Sequence, residues 1–397
     1  MKIGVMHIIF NPGGGAWSVI RELASCQKER GMRVAIGFSY KRIISPEIIL
    51  DIRALKIPYF CYRVPLDFPN SSALFVPPIR KWMNLVMQPD KSINWIVHFH
   101  NGPGAGFVFW PSFTWSSRFL FPSVNTYHGI PPEDIVIELR KGFGSIQTKI
   151  NGFLSRKMVD YGVLIITLSK RSKRELVDTY KLPEQSVHVV YNGTGSKNKL
   201  FIKDRSKEKK DKPFIVGFIG YIGRKKRWDI AIKSIKKLRE EGRNIELIIA
   251  GDGFASLELR KEIEGATSYL KYLGHIKDAS KKLLPNIDLL ILPTHHEGLP
   301  MVILEAFSYG VPVIASSVGA IPEVIKVGET GYLISEPNEN SVEELSCFIK
   351  LLMDDPDLRY KIGKNSYELW QKQFTSEIMT DNYLKLYKKR LSEWKTT

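Results

Sequence analysis

Residues 287–335 read IDLLILPTHHEGLPMVILEAFSYGVPVIASSVGAIPEVIKVGETGYLIS. An apolar run at 289–292 is followed by a glycine turn, a proline and a helical pattern, and then by short apolar runs at 313–315 and 331–334. Strand, turn, helix and strand in that order predict βαβ units, whose parallel strands are covered by helices on both faces. The turn carries Glu297-Gly298-Leu299-Pro300-Met301-Val302-Ile303-Leu304-Glu305. Pro300 suits a first helical turn, where unpaired N–H groups and the helix dipole favour a phosphate. Glu297 and Glu305 are eight residues apart, about 12 Å along a helix at about 1.5 Å per residue. That length resembles the reach from a sugar across a diphosphate to a ribose. A carboxylate accepts two hydrogen bonds well, so each end could hold a pair of hydroxyls.

The same alternation extends in both directions from this segment. Upstream in the second half, 214–219, 245–250 and 269–273 read as strands and 228–241 as an amphipathic helix. In the first half, strands are predicted at 2–10, 34–38, 95–99, 123–127, 164–168 and 187–191, with a helix at 18–30. Between the halves, KNKLFIKDRSKEKKDK at 197–212 breaks every periodicity and reads as a solvated basic linker. The expected organisation is an α/β chain of two facing, Rossmann-like, doubly wound domains, 1–196 and 213–375, with ligand at the carboxyl ends of both sheets. A final helix follows at 376–397. It carries one apolar stripe of Tyr383, Leu384, Tyr387, Leu391 and Trp394, with Lys385, Lys388, Lys389 and Arg390 mostly off it.

Composition excludes several classes. With 397 residues, 44% hydrophobic and 25% charged, the chain is neither collagen-like, disordered nor disulfide-stapled. Cys26, Cys61 and Cys347 form no CxxC pair and no His/Cys cluster at ligand spacing, so no structural zinc site is expected. The apolar runs are about half the roughly 20 residues needed to span a bilayer. The first ten residues read as a strand and not a signal peptide, so a cytoplasmic location is expected. The net charge of +17 is uneven: +11 lies on 1–196, +5 on 197–212 and +1 on 213–397. Nucleic acid is not an expected partner, because no binding module or interleaved aromatic and basic surface accompanies the charge. A dinucleotide fingerprint is absent: Gly251-Asp252-Gly253 is followed by Ser256 where a third glycine belongs, and Gly217, Gly220 and Gly223 have the wrong spacing. Asp355-Pro356-Asp357 reads as a helix-capping turn and not a metal-binding DxD.

The segment 287–335 closely resembles the nucleotide-binding half of the retaining GT-B glycosyltransferases of family 4 (group 1), in their bacterial surface-polysaccharide branch. The E-x7-E pair, the small residues 315–319, Pro322-Glu323 and the turn 328–331 carry the likeness. GFIGYIGRKKRWDIAI (217–232), ELIIAGDG (246–253) and YLGHI (272–276) resemble the same family's segments in order. NPGGGAW, HFHNG, NTYHG, TLSKRSKREL and VHVVYNGTG in the first half match more loosely.

The resemblance implies the GT-B fold, with the last helix crossing back to the first domain. It further implies retaining transfer of a hexose-type sugar from a UDP- or GDP-sugar to a saccharide, with no metal or other cofactor required. Carried over by residue, Glu297 would contact donor-sugar hydroxyls, Glu305 the ribose, and Lys226, six residues after Gly220, the diphosphate. His128 matches the histidine near the reacting sugar, so the expected catalytic set is His128, Lys226 and Glu297. Gly14 and Gly15 match a double glycine that lets backbone approach the donor. Gly251, Gly253, His275, Ile276, Gly298, Leu299, Pro300, Met301 and Val302 complete the expected donor site. Tyr221 stands where the family usually has Arg, so the second phosphate cation would come from Arg224 or Lys225. His98 and His100 are expected to be structural.

A lipid-linked saccharide in capsule, O-antigen or exopolysaccharide assembly is the expected acceptor. The positive first half, the aromatic stretch 107–121 and the basic residues Arg140, Lys141, Lys149, Arg156 and Lys157 suggest docking on the inner, anionic membrane face. Each cation near such a surface is worth about 1 kcal/mol. Two other readings stand beside this one: a nucleotide-sugar 2-epimerase of similar fold, which needs no acceptor, and a non-catalytic basic binding protein.

Overall fold

The computed structural model describes residues 2–10, 14–40, 46–63, 76–87, 90, 92–100, 121–128, 143–195, 212–253, 255–264, 266, 268–338 and 340–396. Except for Lys212 and Phe121, the linker 197–212 and the aromatic stretch 107–121 lie outside these residues, as do Arg140 and Lys141. The chain forms two compact units, Met1–Asn192 with Ser376–Thr397, and Gly193–Thr375.

The first unit is built on seven strands: β1 (Lys2–Phe10), β2 (Arg33–Tyr40), β3 (Tyr59–Arg63), β4 (Ile93–His100), β5 (Ser123–Tyr127), β6 (Leu164–Thr167) and β7 (Val187–Val189). They pair in the order β3-β2-β1-β4-β5-β6-β7, every pair parallel. A parallel sheet covered on both faces explains why β1 is apolar at consecutive positions. Met6 and Ile8 join one core cluster, and Ile9 joins another with Trp17, Ile20 and Ala24 of the helix Gly14–Glu29. The edge strand β3 escaped the reading of apolar runs, because YFCYR is half-exposed along its length and carries no continuous apolar run.

The final helix, Ser376–Thr396, belongs to this first unit. Ser376 Oγ donates to Glu22 at 2.8 Å and Arg30 pairs with Asp381, which ties the helix to Gly14–Glu29 and to the residue that follows it. Tyr383, Tyr387 and Leu391 are buried as their stripe predicts. Arg390, expected off the stripe, is buried as well. Its guanidinium lies 5.2 Å from the Trp394 ring centre and fills the space in front of Gly162, where no Cβ competes for it.

The second unit repeats the plan with β8 (Phe214–Ile219), β9 (Ile245–Ala250), β10 (Leu270–Tyr272), β11 (Leu289–Leu292), β12 (Val313–Ser316) and β13 (Tyr332–Ile334). The order β10-β9-β8-β11-β12-β13 is again wholly parallel and reverses between β8 and β11, where a doubly wound sheet opens a crevice. Three of these strands have the bounds expected from sequence and the others differ by one or two residues, as strand ends commonly do. Asp355 caps the helix Pro356–Gln373, its side chain accepting from Leu358 N at 2.9 Å.

Replacing Asp355 by Ala is expected to remove about 1 kcal/mol from the unfolding of Gly193–Thr375. A lowered urea midpoint at unchanged slope would register it. Asp355→Asn keeps the acceptor and should stay near wild type.

Candidate functional site

In the second unit the loops that leave the carboxyl ends of the strands are bound to one another through backbone. Gly220 N donates to Ala250 O and Gly251 N to Gly274 O, linking the turns after β8, β9 and β10. Gly251 has φ +145°, and a Cβ there would stand 1.7 Å from Gly220 O, so only glycine permits this approach. Gly253 N donates to Asp252 Oδ1 and to Ser256 Oγ, at 2.8 and 3.0 Å. Hydrogen bonds from Ser256 and from Gly253 N hold the Asp252 carboxyl below the usual carboxylate range. His275 is exposed and Ile276 half-buried just beyond β10.

The turn after β8 contains a single 3-10 turn, Arg224–Lys226. The Lys225 carbonyl accepts from His295 N at 2.8 Å and from Thr294 Oγ1 at 3.2 Å, which clamps this turn to the loop after β11. The clamp brings Lys226 Nζ into an ion pair with Glu297 Oε1, the side chains 23% and 12% exposed. The other cations of the turn point elsewhere. Arg224, 74% exposed, pairs with Glu258 at 2.7 Å, and Arg227 forks onto Asp229 with two bonds of 2.9 Å while reaching His295 Nε2 at 3.1 Å. Lys225 and Tyr221 are exposed.

The loop 297–300 is held from below. Gly319 has φ +57°, a Cβ there would stand 1.8 Å from the Glu297 carbonyl oxygen, and Ala320 N donates to Gly298 O at 3.1 Å. Pro300 is not inside the first helical turn as expected. With ψ 125° it is the extended residue before the helix Met301–Ser308, so Glu297 lies in the loop and Glu305 on the helix. The two carboxylates therefore do not share one helical axis, and a spacing read along a helix does not apply to them. Leu299 and Met301 turn their side chains into the core, so backbone is what they offer outward, while Val302 is half-buried. Glu305 accepts a hydrogen bond from Ser280 Oγ. Sequence reading missed Ser280, Thr294 and His295 and saw Gly319 only as the end of a small-residue run, because their roles rest on contacts distant along the chain.

In the first unit Gly14 and Gly15 open the helix after β1, and a Cβ on either would meet nothing within 4 Å. His128 follows β5 directly and is half-buried. Register joins it to other histidines. His7 faces His98 across β1 and β4, and His100 faces Thr126 across β4 and β5. Residues two apart in a strand share a face, so the period of His98 and His100 was a readable signal. His7 Nδ1 lies 2.9 Å from His100 Nε2, and His100 Nδ1 lies 2.9 Å from His128 Nε2. His7 Nε2 reaches Gln27 Oε1 at 2.8 Å, and His98 reaches Tyr387 Oη and Thr126 Oγ1, both at 2.7 Å. Burial pushes His7 and His128 down to about 4 and His98 and His100 well below their usual value. Ring nitrogens of His7, His98 and His100 lie within 4.8 Å of one another. All six ring nitrogens of these three are already in hydrogen bonds, so a metal ion there would have to break several of them.

Residues 13–195 match the family described as Glycosyltransferase Family 4, and residues 201–369 match Glycosyl transferases group 1. The capsular polysaccharide biosynthesis glycosyltransferase CapM of Staphylococcus aureus is 29% identical over 58% of this chain and 62% of its own length. The N-acetyl-alpha-D-glucosaminyl L-malate synthase of Bacillus anthracis is 31% identical over 53% of this chain and 56% of its own. The chain thus spans under two thirds of either relative. Anabaena HepE, solved in complex with UDP-glucose, superposes with a TM-score of 0.75 at 18% identity, covering 98% of this chain and 100% of HepE.

The buried histidines make stability depend on pH. A folded-state value near 4 against 6.5 unfolded means that the unfolded chain binds more protons between those values. The contribution is complete above about 6.5 and is lost as pH falls toward about 4, by about 1.4 kcal/mol per pH unit for each such histidine. Urea midpoints of the first unit are expected to fall through that window; a flat profile would contradict the burial.

Proposed function

Because this chain belongs to the group 1 glycosyltransferases and has the GT-B fold, we propose that it moves a hexose-type sugar from a UDP- or GDP-sugar to a saccharide hydroxyl with retention. The observation that carries the reading is the Lys226–Glu297 pair between β8 and β11, beside the start of the helix Met301–Ser308 that bears Glu305. Transfer breaks the bond from the anomeric carbon to the donor phosphate and forms one to the acceptor oxygen. The acceptor proton passes to the leaving phosphate on the same face. Negative charge grows on that phosphate, and Lys226 together with the unpaired N–H groups of Met301 and Val302 stabilises it. Glu297, released by Lys226, accepts from the sugar hydroxyls, and Glu305 from the ribose diol. Gly14, Gly15, Gly251, Gly253, His275, Ile276, Gly298 and Leu299 bind the donor through backbone, and His128 meets the sugar. Arg224 is turned toward Glu258 in the structure, so the reading assigns the phosphate to Lys226 and gives Arg224, Lys225 and Tyr221 at most the outer rim. Donor complexes such as that of HepE with UDP-glucose support a nucleotide sugar as partner.

The acceptor in this reading is a lipid-linked saccharide used in surface-polysaccharide assembly, an assignment that CapM's name supports. Among the described residues no helix is long and apolar enough to cross a membrane. The helix Phe143–Asp160 exposes Ile150 and Phe153 beside Lys149 and Lys157, which supports peripheral docking on anionic lipid.

Thermal shift against UDP and GDP selects the donor class, and product analysis with and without a lipid-linked acceptor then identifies the reaction. Glu297→Ala, Lys226→Ala and Glu305→Ala are each expected to lower kcat/KM by about 100-fold or more. Wild-type rates in all three would overturn the site. Epimerised donor formed without acceptor would overturn the transferase.

A further inference from the structure

The hydrogen-bond network beneath His128 has a direction, and one amide sets it. A neutral imidazole carries one N–H and one bare nitrogen, so each ring in a chain must donate on one side and accept on the other. Gln27, fully buried on the helix Gly14–Glu29, presents Oε1 to His7 Nε2 at 2.8 Å, and an amide oxygen only accepts. His7 therefore carries its proton on Nε2 and is bare at Nδ1. His100 Nε2 must then donate to His7 Nδ1, and His128 Nε2 to His100 Nδ1. The same amide directs a second branch. Gln27 Nε2 donates to Tyr387 Oη at 3.3 Å, Tyr387 donates to His98 Nδ1, and His98 Nε2 donates to Thr126 Oγ1.

From this geometry we infer that Gln27, acting through His7 and His100, fixes the proton of His128 on Nε2 and turns a bare Nδ1 outward as an acceptor for a sugar hydroxyl. Among the described residues no hydrogen bond reaches that nitrogen. Gln27, His7 and His100 are positioning residues: they touch no ligand, yet a reversed amide would make His128 Nδ1 a donor and invert what it recognises. Tyr387, on the helix Ser376–Thr396, holds the amide in place, so the last helix of the chain takes part in setting the atom that faces the ligand. Burial keeps the rings neutral, which the tautomer requires. Gln27 also ends the chain, because an amide oxygen is too weak a base to carry a proton onward. The sugar-facing part rests on the function proposed above; the tautomer does not.

The test is a long-range proton–nitrogen correlation spectrum of the full chain labelled at histidine nitrogen, assigned with single His→Gln variants. Nε2–H tautomers at His7, His100 and His128 are expected, and an Nδ1–H tautomer at His128 would overturn the proposal. Gln27→Leu should mix the His128 tautomers and lower kcat/KM about tenfold, the cost of one hydrogen bond. Gln27→Glu, an acceptor only, should keep His128 on Nε2–H and restore the rate, while Tyr387 now donates to the carboxylate and His98 switches to Nδ1–H. An unchanged His128 spectrum in Gln27→Leu would also overturn the proposal. Wild-type activity in His128→Ala with the Nε2–H assignment intact would remove the sugar-facing role and leave the network standing.

Discussion

A strand paired in parallel on both sides has no solvent face, and this constraint organises both halves of the chain. Each strand needs a helix above and below, so each connection must cross the sheet and return, and every carboxyl end falls on the same edge. The candidate residues collect there because loops have freedom only at strand ends. Lys226 follows β8, Gly251 follows β9, Glu297 follows β11 and Gly319 follows β12. In the first unit Gly14 follows β1, His100 ends β4 and His128 follows β5. The fold does not choose these residues, but within each unit it gathers those slots along one edge of the sheet.

Much of this was legible because it is local. Apolar runs of β8, β9 and β11 carry their own bounds, and the glycine turn before Met301 announces a helix start. The partners of the charges were not legible. Arg224 looked like a phosphate cation from its place in the turn, yet it pairs with Glu258, 34 residues on. Lys226 and Glu297 are 71 residues apart, and only the pairing of β8 with β11 and the clamp at Lys225 bring them together. Pro300 was placed one step too far into the helix, since proline fits the position before a helix as well as the first turn. The histidine network shows the opposite failure: the period in β4 was visible, but its meaning depends on a glutamine from one helix and a tyrosine from the last.

The two units handle polarity in different ways. Around the second sheet, charges sit at or near the surface and neutralise one another in pairs, where solvent screens them and each exposed pair is worth little. Lys226 with Glu297 is the less exposed exception. In the first unit the network of Gln27, His7, His98, His100 and Tyr387 lies inside the core, uncharged and joined by hydrogen bonds. A buried network of that kind is tolerated only when every member is satisfied, so its residues cannot be exchanged one at a time as surface charges can.

The membership of Ser376–Thr396 in the first unit has a consequence for how the chain is made. The unit Gly193–Thr375 is one continuous stretch inserted into the other. Domains usually fold in order as they leave the ribosome, but here the first sheet emerges complete while the helix that covers His98 and Thr126 is still unmade. The second unit holds all its parts earlier. The half that begins the sequence is therefore the half that finishes last, and until Tyr383 and Tyr387 arrive its buried imidazoles stand open to water.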